Sequence, residues 1–418
     1  MSDILNRKEI ASGVFLSRIT DSRFKQNRIS VYFMTCLDSE KASVNSVVPR
    51  ILTNSCRLLP DLRALNARLS ALYAARLSEG VTNIGDTQCV SIGVTTIDDR
   101  YALEGESVLS DGVEILLNCI FDPLIENNGF KPSVTETEKQ SCIDQIEAEL
   151  NEKREYAIKQ ATELLCEGEP FACRATVEGV EQVTPQSAYA AYEKLLKTSR
   201  IEIFCAGCND FSEVEKTLTK AFCEMKREKM EDCYSEYSPL KPEPITRYEE
   251  LEVNQSKMVI GFKTQLRDID ALVVMTKIYG GSATSKLFEN VREKMSLCYY
   301  CWAKYNYCKG VIMAECGVET ENIDKARAEI LNQLDLIKNS DFTEDELLHA
   351  RLSLQNDLKA LNDKLSGIAL WYLIRIYQCD IVTPEQMVER YLSVTREQII
   401  EAAKSLSLDT VYILTEES

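Results

Sequence analysis

The sequence predicts an α+β protein with two homologous domains, each a mainly antiparallel sheet with helices packed on one face. Its 418 residues exceed what one hydrophobic core usually serves. Amphipathic helical patterns alternate with short strand patterns along the whole chain. The plan also recurs: capping boxes at Thr135 and Thr343 are 208 residues apart, and Val183-Thr184 and Val394-Thr395, 211 apart, each begin a helix that leads into a strand.

The elements follow from periodicity, capping residues and helix breakers. In the first half we predict strands at 13–19, 28–35, 88–95 and 200–206 and helices at 43–56, 62–75, 99–121, 135–166, 185–196 and 211–225. In the second half we predict strands at 257–264, 297–305, 310–318 and 411–417 and helices at 270–279, 322–337 and 343–377. Residues 230–250 contain three prolines and many charges, which is typical of a linker. The predicted domains are therefore 1–229 and 251–418.

The charge argues against nucleic-acid and membrane partners. A formal net charge of −18, from 66 acidic and 48 basic residues, repels phosphate backbones and anionic lipids. Residues 1–13 contain no apolar signal-peptide core, and no later run approaches the roughly 20 apolar residues that span a bilayer. We therefore expect a cytoplasmic protein.

The sixteen cysteines are spread along the chain, so we expect reduced and mostly buried thiols. Two C-x-x-C pairs occur, Cys205 with Cys208 and Cys298 with Cys301. They would have to meet in space to form a four-thiolate zinc site. Both pairs lie in or beside predicted strands, which favours ordinary core positions.

His349 is the only histidine of the chain. A zinc site built on two or three histidines, common in hydrolases, cannot be assembled from one. A lone histidine in a helical run is more often a surface or core residue than a catalytic one. We expect neither a metal nor another cofactor.

Four stretches together resemble the insulinase and pitrilysin family of peptidases, the inverzincins, which include the mitochondrial processing peptidases. They are KLFENVREKMSLCY at 286–299, the preceding Gly-Gly-Ser at 280–282, LNARLSALYAARLS at 65–78, and EGVE at 178–181 leading to Val-Thr-Pro at 183–185. The resemblance covers nearly the whole chain. It is strongest to a zinc-free bacterial subgroup sometimes named for its association with elongation-factor-P modification.

The resemblance places the catalytic motif on residues that cannot perform its chemistry. In active members a helix carries H-x-x-E-H, with two zinc-binding histidines and a water-activating glutamate. That motif falls on 50–54 here, where Arg50, Thr53 and Asn54 stand at the three functional positions, and the third ligand falls on Gln145. A guanidinium has no lone pair for a metal, and neutral amides bind zinc poorly. We therefore predict a non-catalytic homologue.

The resemblance also implies substrate-binding residues in the second domain. Arg292 and Tyr299 match the Arg and Tyr that hold substrate backbone in relatives. The alternative is that Arg292 pairs with Glu289 or Glu293 and that Tyr299 fills core. Gly280 and Gly281 lack the spacing of a phosphate-binding loop, and the resemblance implies a loop that guides substrate.

These inferences predict the zinc-free subunit of a heterodimeric zinc peptidase, which helps to enclose and bind a peptide. The implied partners are a zinc-bearing insulinase-like subunit and the peptide itself. One rival is a stand-alone or homodimeric peptide-binding protein without peptidase activity. Another is an enzyme with unrelated chemistry that uses Cys205 or Cys301 as a nucleophile.

Overall fold

A computed structural model of the chain describes residues 5–103 and 105–416. The described chain forms two compact units, each made of discontinuous segments. Unit 1 contains residues up to Glu147, Cys173–Tyr234 and Asn362–Ile381, and unit 2 contains Ala148–Ala172, Ser235–Leu361 and the residues from Val382 onward. Each unit is a mainly antiparallel sheet with packed helices, which confirms the predicted α+β class.

The elements are numbered in chain order. Up to residue 223 they are β1 (Lys8–Ala11), β2 (Val14–Thr20), β3 (Gln26–Cys36), α1 (Ser39–Asn54), α2 (Leu62–Ala71), β4 (Arg76–Ile84), β5 (Thr87–Ile97), α3 (Val108–Phe121), β6 (Ile125–Glu126), β7 (Gly129–Phe130), α4 (Pro132–Asn151), α5 (Lys153–Leu165), α6 (Val177–Glu181), α7 (Pro185–Thr198), β8 (Arg200–Gly207) and α8 (Ser212–Cys223). Beyond it they are β9 (Ile245–Glu250), β10 (Ser256–Lys263), α9 (Ile269–Tyr279), a π-helix (Leu287–Lys294), β11 (Cys298–Asn306), β12 (Val311–Val318), α10 (Ile323–Lys338), α11 (Glu344–Leu361), α12 (Leu365–Tyr377), α13 (Pro384–Ser393), α14 (Arg396–Lys404) and β13 (Ser407–Thr415).

The sheet of unit 1 has six strands in the order β1-β2-β8-β3-β5-β4. Only the β2–β8 pair is parallel among these neighbours. Apolar residues of β3 and β5 pack with α1, α3 and α7 in the main core of the unit. Burial of these aliphatic side chains, about 1.5–3 kcal/mol each, is the main stabilising contribution.

Helix α1 begins earlier than predicted, at Ser39, because the Asp38 carboxylate accepts a hydrogen bond from the Lys41 amide and caps it. Its predicted apolar face is buried, including Val47, Val48 and Ile51. Helix α4 also begins earlier, at Pro132, so the predicted capping box at Thr135 is wrong. The Thr135 hydroxyl instead donates to the Lys131 carbonyl within the first turn.

The two predicted long helices are each broken into two. The first is divided into α4 and α5, and the second into α11 and α12. The capping box at Thr343 is present, since the Glu346 carboxylate accepts from the Thr343 amide (2.7 Å) and the Thr343 hydroxyl from the Glu346 amide (3.1 Å). The long periodic patterns were therefore correct for helix, and only their continuity was wrong.

Unit 2 has a five-stranded sheet in the order β11-β12-β10-β13-β9. Strand β9, at residues 245–250 of the expected linker, pairs in parallel with β13. Helix α5 packs against β10 and β13, with Leu165 seated on Gly261, whereas α12 packs against β3 and β8 of unit 1. Each unit thus takes one helix from the other half of the chain, unlike the contiguous domains expected from the sequence.

One pair of cysteines corrects the expectation of reduced thiols. Cys36 at the end of β3 and Cys233 form a disulfide, and the other fourteen cysteines are not disulfide-bonded in the structure. The partners are 197 residues apart and meet because residues after α8 are held beside α7: the amides of Glu228 and Glu231 donate to the carbonyls of Lys197 and Thr198. In the described ranges, no helix is both long and apolar enough to cross a bilayer.

Candidate functional site

Arg50 of α1 and Gln145 of α4 are in direct contact. The Arg50 Nη2 donates to the Gln145 Oε1, and its Nη1 donates to the Ser141 hydroxyl at 3.3 Å. Both helices lie in unit 1 at these positions. This contact is what a ligand set shared by the two helices would require, so the geometry is compatible with the placement that the resemblance implies.

Asn54 lies one helical turn beyond Arg50 and has a separate partner on α4. Its amide Nδ2 donates to the Glu138 Oε1 at 2.7 Å. Glu138 was expected from the sequence only as the capping partner of Thr135 and not as a residue of the site, although it lies seven residues before Gln145 and therefore on the same face of α4. That spacing is the signal by which it could have been found.

Among the residues that the structure describes, Thr53 hydrogen-bonds only to its own helix. Its hydroxyl donates to the carbonyls of Pro49 (3.0 Å) and Arg50 (3.3 Å). A hydroxyl bonded in this way neither ligates a metal nor acts as a general base at neutral pH.

The arrangement between α1 and α4 is a set of mutually satisfied polar side chains. Arg50 offers only N–H donors, and its guanidinium is a permanent cation. Of the residues in these contacts, Glu138 alone supplies a carboxylate, and it accepts from Asn54. A zinc site needs three or four lone-pair donors, so these residues do not fit zinc.

Arg292 and Tyr299 lie in unit 2 and are accessible. The Arg292 guanidinium forms an ion pair with Glu293 (3.3 Å), stacks on Phe288 (4.5 Å to the ring centroid), and has a 38% exposed side chain. Tyr299 of β11 is 64% exposed and donates from its hydroxyl to the Glu319 carboxylate at 2.8 Å, which raises the Tyr299 pKa. The pairing of Arg292 with Glu293 matches the structural alternative, but Tyr299 does not fill core.

Gly280 and Gly281 are buried at the end of α9, where there is no room for a side chain. A Cβ at Gly280 would lie 2.6 Å from the Ala303 Cβ and 2.8 Å from the Leu287 Cδ1. The Gly280 carbonyl accepts from the Ala303 amide of β11 at 2.8 Å. A Cβ at Gly281 would lie 2.9 Å from the Lys277 Cδ. The structure therefore assigns these glycines a role in packing.

The cysteines proposed as nucleophiles are buried and protonated at neutral pH. Burial raises the pKa of Cys205. Hydrogen bonds that the Cys301 thiol donates to the sulfurs of Cys298 and Cys316, together with burial, raise the pKa of Cys301. Cys56 was missed: a hydrogen bond from the Cys119 thiol lowers its pKa to about 7. Cys56 is itself buried, so an ionised thiol there is not accessible to a substrate.

His349 lies on the exposed face of α11 in unit 2, as expected of a surface histidine. It lines an open cavity of about 540 Å³, and the lining also includes Lys286, Asp345 and Glu346. No second histidine exists to join it in a metal site.

Comparison with known proteins agrees with this geometry. Residues 182–354 match the family model described as the peptidase M16 inactive domain. A protein of Bacillus subtilis named "Probable inactive metalloprotease YmfF" is 25% identical over 99% of this chain and 98% of its own length.

Two solved structures show the same fold over nearly the whole chain. A conserved protein from Enterococcus faecalis superposes with a TM-score of 0.90, at 25% identity and 99% coverage of both chains. A peptidase M16 inactive domain from Pseudomonas fluorescens superposes with a TM-score of 0.80, at 15% identity, and covers 99% of this chain and 98% of its own. The comparisons therefore support an inactive M16-type peptidase homologue of a bacterial subgroup.

Proposed function

We propose that this chain is the zinc-free subunit of a heterodimeric zinc peptidase and that it binds the peptide substrate. A zinc-bearing insulinase-like subunit would supply hydrolysis. The mutually satisfied polar residues between α1 and α4 support a role without chemistry of its own, since neither Arg50 nor Asn54 is a suitable ligand.

The observation that carries peptide binding is the open edge of β4. Within the described residues, β4 pairs only with β5, so the other side of a nine-residue strand has unpaired backbone groups. It contains no proline and no lysine, the residues that often protect edges from strand addition. An extended peptide can add to such an edge through backbone hydrogen bonds. Helix α1 packs against β4, so this edge adjoins the helix where relatives hold zinc.

Arg292 and Tyr299 support peptide binding in unit 2. Both side chains reach solvent, and their partners, Glu293 and Glu319, are themselves exposed acidic residues. Exposed ion pairs contribute only about 0–1 kcal/mol, so a peptide carbonyl or carboxylate can compete for these donors. We restrict the proposed substrate contacts to Arg292 and Tyr299, because Gly280 and Gly281 are buried.

The heterodimer is tested by isolating the tagged chain from its own cells and measuring native mass and metal content. The proposal expects a complex of this chain with one zinc-bearing relative, with about one zinc on the relative. A complex of two copies, or a single chain, that still binds extended peptides would favour the stand-alone binding protein instead. Absence of both the relative and peptide binding would refute both functions.

Peptide binding through the β4 edge is tested with matched peptides that differ only in backbone N-methylation. N-methyl groups remove donors and block strand addition but keep the side chains. We expect the methylated peptide to bind at least about fivefold more weakly, since two or three net hydrogen bonds of about 0.5–1.5 kcal/mol each are lost. Equal affinity for both peptides would refute strand addition.

A further inference from the structure

Three metal-ligating side chains meet at the end of β3. The sulfurs of Cys36 and Cys233 and a carboxylate oxygen of Glu231 all lie within 4.8 Å of one another, and all three residues are half-buried. In the part of the chain that the structure describes, this is the one group of three or more such residues at this separation. It lies in unit 1 and includes none of the positions 50, 53, 54 or 145.

The protein holds the carboxylate of this group in place. The Glu231 amide donates to the Thr198 carbonyl at 3.0 Å, which anchors the backbone. The Thr35 hydroxyl, one residue before Cys36, donates to the Glu231 Oε2 at 3.0 Å. The carboxylate is therefore fixed beside both sulfurs by contacts that do not depend on the disulfide.

Two lysines offset the negative charge of the group. The Lys41 Nζ lies 3.5 Å from Glu231 and the Lys194 Nζ lies 3.3 Å from it. Two thiolates and a carboxylate carry three negative charges, which a divalent cation leaves at minus one. The nearby ammonium groups favour that net charge.

We propose that the reduced chain binds a thiophilic divalent cation such as Zn²⁺ through the Cys36 and Cys233 thiolates and the Glu231 carboxylate. Zinc accepts sulfur and carboxylate ligands together, and three protein ligands leave a fourth position for water. Formation of the disulfide removes two of the three ligands and closes the site. This inference is independent of the proposed peptidase-subunit function.

A dithiol reductant supplies the electrons and protons that reduction of the disulfide needs. The reductant gives two electrons and two protons to the Cys36–Cys233 disulfide, yielding two thiols, and becomes a disulfide itself. Binding of the cation then releases the two thiol protons to solvent. Reoxidation by a disulfide reverses the electron transfer and expels the cation.

Cobalt(II) titration of the reduced and oxidised full-length chain tests the proposal, because thiolate ligands give Co²⁺ an intense near-ultraviolet charge-transfer band. We expect one equivalent of cobalt, displaced by Zn²⁺, in the reduced chain and none in the oxidised chain. Cys36→Ser and Cys233→Ser should abolish the band, and Glu231→Gln should weaken binding at least about tenfold. Cys223→Ser removes an exposed thiol elsewhere and should change nothing.

Glu231→Gln keeps both cysteines, so it tests the ligand set even where a cysteine variant is unstable. A cobalt band that persists in both Cys36→Ser and Cys233→Ser would place the metal on other thiols and overturn the proposal. Equal binding by oxidised and reduced chains would also overturn it, as would unchanged affinity in Glu231→Gln.

Discussion

Restoring four ligand and base positions should create a zinc site between α1 and α4. The variant carries Arg50→His, Thr53→Glu, Asn54→His and Gln145→Glu. Positions 50 and 54 are one turn apart on α1, and position 50 already touches position 145. Two imidazoles and a carboxylate then converge, which is a three-ligand zinc set with room for water.

Glu138 should increase the zinc affinity of this variant. It now accepts a hydrogen bond from Asn54 at 2.7 Å. A histidine at position 54 can donate its second ring N–H to the same carboxylate, which orients a metal-binding imidazole. Adding Glu138→Gln should therefore weaken zinc affinity by about 10–100-fold without removing a ligand.

The size of the expected stabilisation follows from zinc binding to the folded chain and not to the unfolded chain. Zinc at 100 times its dissociation constant stabilises the folded chain by about 2.7 kcal/mol. For a unit of this size that corresponds to a rise of roughly 5–10 °C in the unfolding midpoint. Equilibrium dialysis with metal analysis gives the stoichiometry, and thermal unfolding with and without zinc gives the shift.

Two controls isolate the designed site. All measurements use a Cys36→Ser background, so that the cysteine group at the end of β3 cannot contribute zinc. The matched triple variant keeps Gln145 and should bind zinc far more weakly, since an amide is a poor ligand. A folded quadruple variant that gains no zinc and no thermal shift would show that positions 50, 54 and 145 are not a ligand set.

Two further predictions concern stability. Gly280→Ala should destabilise the chain by about 1–3 kcal/mol, because the new Cβ would lie 2.6 Å from the Cβ of Ala303. The control Ala283→Ser, at an exposed position in the same turn, should change the free energy of unfolding by less than about 0.5 kcal/mol. Equal effects of the two variants in denaturant unfolding would contradict this packing argument. Burial alone would raise the pKa of Asp98, but hydrogen bonds from Cys208, Asn27 and Arg100 outweigh it and lower that pKa to about 2. The ordinary pKa of an aspartate is about 3.9. Above that pH the Asp98 carboxylate therefore contributes about 2.5 kcal/mol to the free energy of unfolding, and this contribution is lost as the pH falls towards 2. Urea unfolding should therefore show that Asp98→Asn is destabilising at pH 6 but nearly neutral at pH 2. The control Asp111→Asn, which removes an exposed carboxylate, should have little effect at either pH. A pH-independent effect of Asp98→Asn would contradict the assigned pKa.

Local patterns predicted most helices and strands, and tertiary context explains what was missed. The apolar face of α1 and the caps at Thr184, Thr343 and Thr395 depend on neighbouring residues, so periodicity and capping chemistry suffice for them. Strand β4 has no regular alternation and is stabilised by pairing with β5, which a local pattern does not show. The motif at Thr135 has the letters of a capping box, but Pro132 already begins the helix.

The candidate site shows the same division. Replacement residues at positions 50, 53, 54 and 145 could be identified from the resemblance, and their lack of metal chemistry follows from the side chains themselves. The hydrogen bonds of these residues could not be predicted from the sequence, because the pairing of Asn54 with Glu138 joins two helices across 84 residues. The Cys36–Cys233 disulfide is likewise a product of the fold.

The exchange of helices between the two halves of the chain predicts that neither half is stable alone. Helix α12 packs on β3 and β8 within unit 1, although more than a hundred residues of unit 2 separate it in the chain from the preceding segment of unit 1, Cys173–Tyr234. Its large buried aliphatic side chains are Leu365, Ile368, Leu373 and Ile376. Their burial contributes about 6–12 kcal/mol at 1.5–3 kcal/mol each, which is comparable to the whole stability of a typical domain.

A fragment of residues 1–234 should therefore lack cooperative unfolding, whereas the same fragment joined by a flexible linker to residues 362–381 should recover it. Circular dichroism during urea unfolding separates the two outcomes. A matched control replaces Ile368 and Leu373 in the joined segment by aspartate, which keeps the added length but removes the apolar contacts, and it should behave as the bare fragment does. If the bare fragment unfolds as cooperatively as the joined one, α12 is dispensable to unit 1, and the compact unit of the fold is contiguous in sequence after all.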